Sequence, residues 1–173
     1  MPLPALKQVE DFPGADYAEK WRAFLEDIYG VFCDTVVDAN LTFQGCPVRC
    51  RWHEPFDGKH ASFWHAISEG RVETDRTPDL ERCARMAWIQ WVICHADDSA
   101  HVRWWENERS SKHGRSTHVP LWLFNENYAV ILQKRQSQEN GETFYLLVTT
   151  YCLKPNRAQS FQKEWEAWIA SHP

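Results

Sequence analysis

The sequence lacks a long apolar run and an excess of positive charge. No window approaches the roughly 18 consecutive apolar residues that a membrane-spanning helix needs, and the N-terminus, with Pro2, Pro4 and Lys7, lacks the basic-then-apolar order of a secretory signal. We therefore expect a cytoplasmic protein without a membrane partner. The net charge of -5 argues against a protein that coats duplex nucleic acid, because such binding depends on many Lys and Arg contacts to phosphates. A local basic cleft remains compatible with it.

Internal repeats and low-complexity segments are absent as well, so one domain spanning residues 1–173 is the expected count. The six cysteines are scattered through apolar stretches, which predicts small buried side chains in a reducing compartment and no disulfide. Tryptophan, in contrast, is abundant. Its ten residues either fill a core or offer flat rings for stacking against nucleobases.

Helical periodicity predicts four helices. A possible capping box of Asp16 and Glu19 starts the first, and Thr77, Pro78 and Asp79 form a start signal for the third. The predicted helices cover residues 16–29, 58–70, 77–94 and 157–170.

A period of two predicts strands over 102–105, 121–124, 128–134 and 144–153, with turns at 125–127 and 140–141. Residues 41–52 suggest a bulged or edge strand, and the polar run 109–118 suggests a loop. We expect an α+β fold: N-terminal helices packed on one face of a roughly four-stranded antiparallel meander sheet, with a closing C-terminal helix.

The predicted helix 58–70 carries candidate chemistry. His65 and Glu69 are one helical turn apart, so the carboxylate could orient the imidazole as a general base. Lys59 would lie at the helix N-terminus, where a phosphate is favoured, and Trp64 is a candidate surface for a substrate. The alternative for His65 is a purely structural, hydrogen-bonded residue that faces the sheet.

The late strands carry candidate partners for His65. Alternation sends Thr149 and Tyr151 to one sheet face, and polar groups among apolar neighbours need partners or a substrate. Arg135 and Arg109 lie at predicted strand ends, where guanidinium groups are suited to bidentate capture of phosphate. Each arginine taken alone also fits a surface salt bridge.

Five segments in this order resemble a phage-associated family of the Barnase, EndoU, colicin and RelE-like nucleases: GKHASFWHAISEG, PDLERCARMAWIQWVI, WENER, LWLFNENYAVILQKR and FYLLVTTYCL. The resemblance covers residues 36–168 and leaves residues 1–35 as an N-terminal helical extension. It implies helices followed by a four-stranded antiparallel sheet whose face carries a metal-independent ribonuclease site. The family's pattern of histidine, basic residue, hydroxyl and aromatic is matched by His65, Arg135, Thr149 and Tyr151, with Lys59 beside them.

These expectations give a metal-independent endoribonuclease of phage or toxin type that needs no cofactor. His65 exchanges the proton, Lys59 and Arg135 hold the phosphate, Thr149 donates a hydrogen bond to it, and Tyr151 stacks on a base or assists the leaving group. Further substrate contacts are expected from Arg109, Glu69 and Trp64. The expected partners are RNA and an antitoxin or immunity protein.

Three other interpretations remain open. Cys46, Cys50, His53 and His60 have a spacing that overlaps zinc-ligand patterns. Ser62, His65 and Glu69 could form a hydrolase triad, although no G-x-S-x-G elbow is present. The same fold could also be a binding module without catalysis, whose acidic surface meets a basic protein partner.

Overall fold

The computed structural model describes residues 1–53, 55–69 and 76–173. Helix α1, Tyr17–Phe32, starts as predicted: the Asp16 carboxylate accepts from the Glu19 backbone N–H at 2.9 Å, and the Glu19 carboxylate accepts from the Ala15 N–H at 2.7 Å. The helix does not end at Gly30. It continues into a π-helical turn, Cys33–Val37, because the buried apolar stripe extends beyond the glycine.

The other helices are α2 (Ala61–Ile67), α3 (Leu80–Ala84), α4 (Trp88–Cys94) and α5 (Pro155–Ser171). Two predicted helices were too long. The one predicted over 58–70 lasts only from Ala61 to Ile67, because Ser68–Glu69 forms strand β3, which pairs with strand β4, Thr77–Pro78. The helix predicted over 77–94 is likewise shorter, because Asp79 caps α3: its carboxylate accepts from the backbone N–H groups of Glu81 at 2.9 Å and Arg82 at 3.2 Å. A turn then separates α3 from α4.

The main sheet has seven strands: β1 (Thr42–Phe43), β2 (Cys46–Arg49), β5 (Val102–Trp104), β6 (Asn107–Ser111), β7 (Gly114–Leu123), β8 (Tyr128–Gln136) and β9 (Thr143–Cys152). Their order is β1-β2-β9-β8-β7-β5, with β6 also paired to β7. The four predicted strands correspond to β5, the second half of β7, β8 and β9. The bulged or edge strand predicted over residues 41–52 is present as two short strands, β1 and β2, which pair with each other, and β2 also joins β9 in parallel. Strand β6 was not predicted: it forms a hairpin with β7 where a loop was expected.

Helices cover both faces of this sheet, not one. Side chains of α1 to α4 pack with Val119, Leu121, Leu132 and Leu147 in the main core. On the opposite face, Phe161 of α5 packs with Trp105, Trp122, Ala129 and Ile131. The closing helix is thus a separate third layer, because successive strand residues point to opposite faces and both sets are apolar.

The N-terminal extension is part of the main core. Phe24 and Ile28 of α1 are buried there, and two indole N–H groups hold the chain start: Trp88 donates to the Pro4 carbonyl at 2.8 Å and Trp91 to that of Met1 at 3.1 Å. None of the helices within the described ranges has the length and apolar character to cross a membrane.

Candidate functional site

Three depressions lie side by side along β8 and β9. We call them the Tyr151 pocket (about 410 Å³, with Ser68, Arg76 and Arg82), the Arg51 pocket (about 120 Å³, with Ser62 and Leu146) and the hairpin pocket (about 540 Å³, with Arg115, Ser116 and Thr117).

The three pockets are connected through the residues that they share. His65 and Val148 line both the Tyr151 pocket and the Arg51 pocket. Gln133 and Arg135 line both the Arg51 pocket and the hairpin pocket. We therefore treat them as one groove, with His65 at the junction of its first two parts.

Hydrogen bonds to β9 hold α2, and with it His65, against the sheet. The Thr149 hydroxyl donates to the His65 carbonyl at 2.6 Å, and the Thr150 hydroxyl donates to the Ala66 carbonyl at 2.8 Å. These bonds satisfy carbonyls at the helix C-terminus that have no partner within the helix. Thr149 thus positions the backbone of His65. Its single hydroxyl proton is used in this bond and not, as predicted, for a phosphate.

The imidazole of His65 meets an arginine that sequence reasoning missed. The Arg51 guanidinium lies 3.0 Å from Nε2 of His65. Because arginine only donates hydrogen bonds, Nε2 is the acceptor and carries no proton in this arrangement. Ser62 fixes the backbone of Arg51: its N–H donates to the Arg51 carbonyl at 3.1 Å, and its Oγ accepts from the Arg51 N–H at 2.7 Å.

Glu69 does not orient His65 in the way predicted. It lies on β3, where its carboxylate forms an ion pair with Arg82. The predicted spacing of one helical turn failed because α2 ends at Ile67. Glu69 nevertheless lines the Tyr151 pocket together with His65.

Arg82 is the central buried cation of the Tyr151 pocket. It is only 3% exposed, donates to the Ser68 carbonyl at 3.1 Å, and lies 5.1 Å from the centre of the Tyr151 ring. Among the described residues, the Nε of Arg82 and the Oγ of Ser68 are buried without a hydrogen-bond partner, and the Asp79 carboxylate lies 3.7 Å from that Nε in an ion pair. A pocket with unsatisfied buried donors beside an aromatic ring is suited to an anionic, partly aromatic ligand.

A β-bulge shapes the wall of this pocket. Ile131 pairs with Thr149 and the next residue, Leu132, pairs with Leu147, so Val148 is an extra residue in β9. A bulge redirects the side chains that follow it. Val148, Thr149 and Tyr151 consequently all line the Tyr151 pocket.

Lys59 lies outside the groove, contrary to prediction. Its ammonium is buried at 4% exposure and bonds the Glu26 carboxylate at 2.6 Å. Burial lowers the pKa of Lys59, but the hydrogen bond and charge of Glu26 outweigh it, so the pKa is raised. Lys59 also lies two positions before the start of α2 at Ala61, not within the helix. Lys59 therefore acts as an ion-pair partner of α1.

Of the three remaining predicted substrate contacts, one lines the groove and two do not. Arg135 lines the Arg51 and hairpin pockets, the first of them together with His65. Trp64 donates its indole N–H to the Phe56 carbonyl at 2.8 Å and is not among the residues lining the groove. Arg109 lies on β6, outside the groove lining, and its nearby charge acts on His118.

The lowered pKa of His118 makes the stability of the fold depend on pH. Burial lowers the pKa of His118, and the Arg109 charge lowers it further. The unfolded chain therefore binds the proton more readily below about pH 6.5, so this contribution to stability is present above that pH and is lost on acidification. We expect the free energy of unfolding to be smaller at about pH 5.5 than at about pH 7.5.

Urea denaturation of His118→Gln at both pH values checks this expectation. The variant should show a smaller difference between the two, although some dependence should remain because burial also lowers the pKa of His60. An unchanged difference would show that His118 does not contribute.

Two of the alternatives from the sequence, the zinc site and the hydrolase triad, do not fit the geometry. In the described ranges, no group of three or more His, Cys, Asp or Glu residues could hold a metal ion. His60 bonds the Tyr29 hydroxyl at 2.8 Å, and burial raises the pKa of Cys50 to about 12, which disfavours the thiolate that zinc requires. The hydrolase triad also fails. The Ser62 hydroxyl is buried and accepts from the Arg51 N–H, and the Glu69 carboxylate is paired with Arg82.

The groove is basic, although the chain is acidic overall. Its described lining includes the single carboxylate of Glu69 and six cationic side chains: Arg51, Arg76, Arg82, Arg115, Arg135 and Lys134. Glu69 and Glu106 neutralise Arg82 and Lys134. The described residues provide no carboxylate in ion-pair contact with Arg115 or Arg135, so these charges are available to a ligand.

Compared with models of protein families, with curated proteins and with solved structures, the chain gives no match. The chemistry of the groove is therefore the basis on which a function is inferred.

Proposed function

We propose that the protein is a metal-independent endoribonuclease that cleaves RNA through attack of the 2'-hydroxyl on the adjacent phosphate. The observation that carries this proposal is that His65, Arg51 and Arg135 line one small pocket, in which the Arg51 guanidinium lies 3.0 Å from Nε2 of the imidazole. RNA supplies its own nucleophile. The enzyme therefore needs only a proton acceptor, charge stabilisation on the phosphate and a proton for the leaving oxygen.

The proposal assigns these roles to residues that line the groove. His65 accepts the 2'-hydroxyl proton, the 2'-oxygen forms a bond to phosphorus, and the bond from phosphorus to the 5'-oxygen breaks. The departing oxygen takes a proton from protonated His65 or from the Tyr151 hydroxyl, which leaves a 2',3'-cyclic phosphate and a free 5'-hydroxyl. Arg51 and Arg135 hold the phosphate, and Thr149 positions His65. Lys59 has no part in this scheme.

Arg51 gives the proposed site a means of activation. In the unliganded arrangement the guanidinium donates to Nε2 of His65 and so occupies the lone pair that would accept a proton. A phosphate is a stronger partner for arginine than a neutral imidazole, because both members of the pair are charged. Binding of RNA therefore draws Arg51 to the phosphate and makes Nε2 available to the 2'-hydroxyl.

The resemblance to phage-associated nucleases extends the proposal. It supports a cytoplasmic enzyme of phage or toxin type, restrained by an antitoxin or immunity protein. It also supports the core arrangement of helices followed by a four-stranded antiparallel sheet, to which this chain adds strands at both edges.

The test is incubation of the purified protein with total RNA in the presence of a chelator. We expect fragments whose 3' ends carry cyclic phosphate and whose 5' ends carry hydroxyl groups. Intact RNA would contradict the proposal. Fragments with 5'-phosphates would contradict it as well, because such an end forms when water attacks the phosphorus and the bond to the 3'-oxygen breaks.

A second candidate is a binding module of the same fold without catalysis. The specific observation in its favour is again the bond from Arg51 to Nε2 of His65, because a permanently occupied lone pair makes the imidazole a structural acceptor. This candidate predicts that RNA remains intact in the same experiment and that a protein partner co-purifies with the chain.

A further inference from the structure

The groove extends well beyond the site at which one phosphate would react. Its two ends are marked on a single strand, with Tyr151 in the Tyr151 pocket and Thr143 in the hairpin pocket. The eight residue steps from Thr143 to Tyr151 span roughly 26 Å of β-strand. Along the axis of a duplex, each strand places one phosphate roughly every 3.4 Å, so even a more extended single strand would fit several nucleotides into this length.

The far end of the groove is built by an element that the proposed chemistry does not use. Beyond the pair of Thr117 with Lys134, β7 pairs only with β6 and no longer with β8. The β6-β7 hairpin therefore separates from the end of β8, and the hairpin pocket is the gap between them. Arg115 from the hairpin and Arg135 from β8 both line this gap.

The centre of the groove is its smallest part by volume. The Arg51 pocket measures about 120 Å³, against about 410 and 540 Å³ on its two sides. Leu146 and Val148, both half-buried, provide apolar surface at this point. A single strand can present one phosphate at a time to a pocket of this size, whereas a duplex, with two strands paired to each other, is too wide to enter it and would leave His65 unreached.

We propose that the groove binds a single-stranded stretch of RNA several nucleotides long, with the β6-β7 hairpin holding phosphates on the far side of Arg135 from His65. This inference rests on the proposed function for the identity of the ligand and extends it to substrate length and strandedness. Arg115 is a binding residue in this scheme. It adds affinity only for strands long enough to reach it.

The test uses 2'-O-methyl oligonucleotides, which cannot be cleaved by the 2'-hydroxyl route, with binding measured by fluorescence anisotropy. We expect an octanucleotide to bind at least about tenfold more tightly than a dinucleotide, because several phosphates contribute. Arg115→Ser should weaken octanucleotide binding about three- to tenfold and lower the slope of log affinity against log salt by about 0.7, the value for one phosphate on a single strand. It should leave dinucleotide binding unchanged.

Arg22→Ser is the matched control, because Arg22 is an exposed arginine on α1 that does not line the groove. It should change neither affinity. Equal binding of the two lengths, an unaffected octanucleotide in Arg115→Ser, or equally tight binding of a duplex would each overturn the proposal. Length-dependent binding without cleavage of ordinary RNA would support the groove and reject the nuclease, whereas cleavage without length dependence would do the reverse.

Discussion

Replacement of His65 by glutamine is expected to slow RNA cleavage by roughly a hundred- to ten-thousand-fold, the usual contribution of general acid-base catalysis. Glutamine keeps an acceptor for the Arg51 guanidinium but cannot exchange a proton. The backbone bond from Thr149 to the carbonyl of residue 65 does not depend on the side chain. The variant should therefore fold normally and bind RNA, and only the rate should fall, as measured from initial rates on a labelled oligonucleotide.

His101→Gln is the matched control for this experiment. His101 is an exposed histidine paired with Asp98 and lies outside the groove lining, so its replacement should leave the rate within twofold, a change below about 0.5 kcal/mol in activation free energy. A His65→Gln protein that cleaves RNA at the rate of the unmodified chain would remove the imidazole from the mechanism. Comparable circular dichroism spectra of the variants would exclude misfolding as the cause of a loss.

Sequence periodicity predicted the elements that are stabilised locally. The capping box at Asp16 is made by neighbours in sequence, and the two hairpin turns contain left-handed residues where they were expected, Asn127 and Gly141. The strands β8 and β9 agree with their predicted bounds to within two residues. In each case the determining contacts lie within a few residues of one another, so the local sequence is sufficient.

The roles of Glu69 and Lys59 could not be predicted because distant segments determine them. Glu69 leaves the helix since the chain at Thr77 and Pro78 provides a strand for it to pair with. The Lys59 ammonium is bound by the carboxylate of Glu26 on α1, 33 positions earlier. A spacing rule assumes that one helix persists, and here the pairing of β3 with β4 ends the helix at Ile67, two positions before Glu69.

The sequence carries only weak signals for Arg51 and Arg115, the two arginines of the groove that were not predicted as site residues and that the proposals use. Arg51 follows a short strand that pairs in parallel with β9, a contact between segments about one hundred residues apart. Arg115 lies in a polar run without alternation, because both faces of the β6-β7 hairpin are largely solvated. One available signal was Gly114, whose φ of 107° suits a hairpin turn between two short polar strands.

Arg82→Met is expected to lower the free energy of unfolding by about 3 kcal/mol. The buried Ser68 carbonyl would lose its donor, which costs roughly 1–3 kcal/mol, and loss of the cation beside the Tyr151 ring adds roughly 0.5–2 kcal/mol. The ion pair with Glu69 contributes little, since that carboxylate side chain is 68% exposed. Methionine fills most of the volume, so the loss is mainly electrostatic and should appear in urea denaturation with an unchanged m-value.

RNA cleavage by Arg82→Met should also fall, by about tenfold, equivalent to 1.4 kcal/mol of transition-state stabilisation, because the Tyr151 pocket loses its buried donor. Arg85→Met provides the comparison: Arg85 follows α3, bonds the Glu81 carbonyl and stacks on Trp88 away from the groove. It should cost about 1 kcal/mol of stability at most and leave cleavage unchanged. If the two variants were equally stable and equally active, Arg82 would contribute no more than the partly exposed Arg85, and the Tyr151 pocket would have no part in binding RNA.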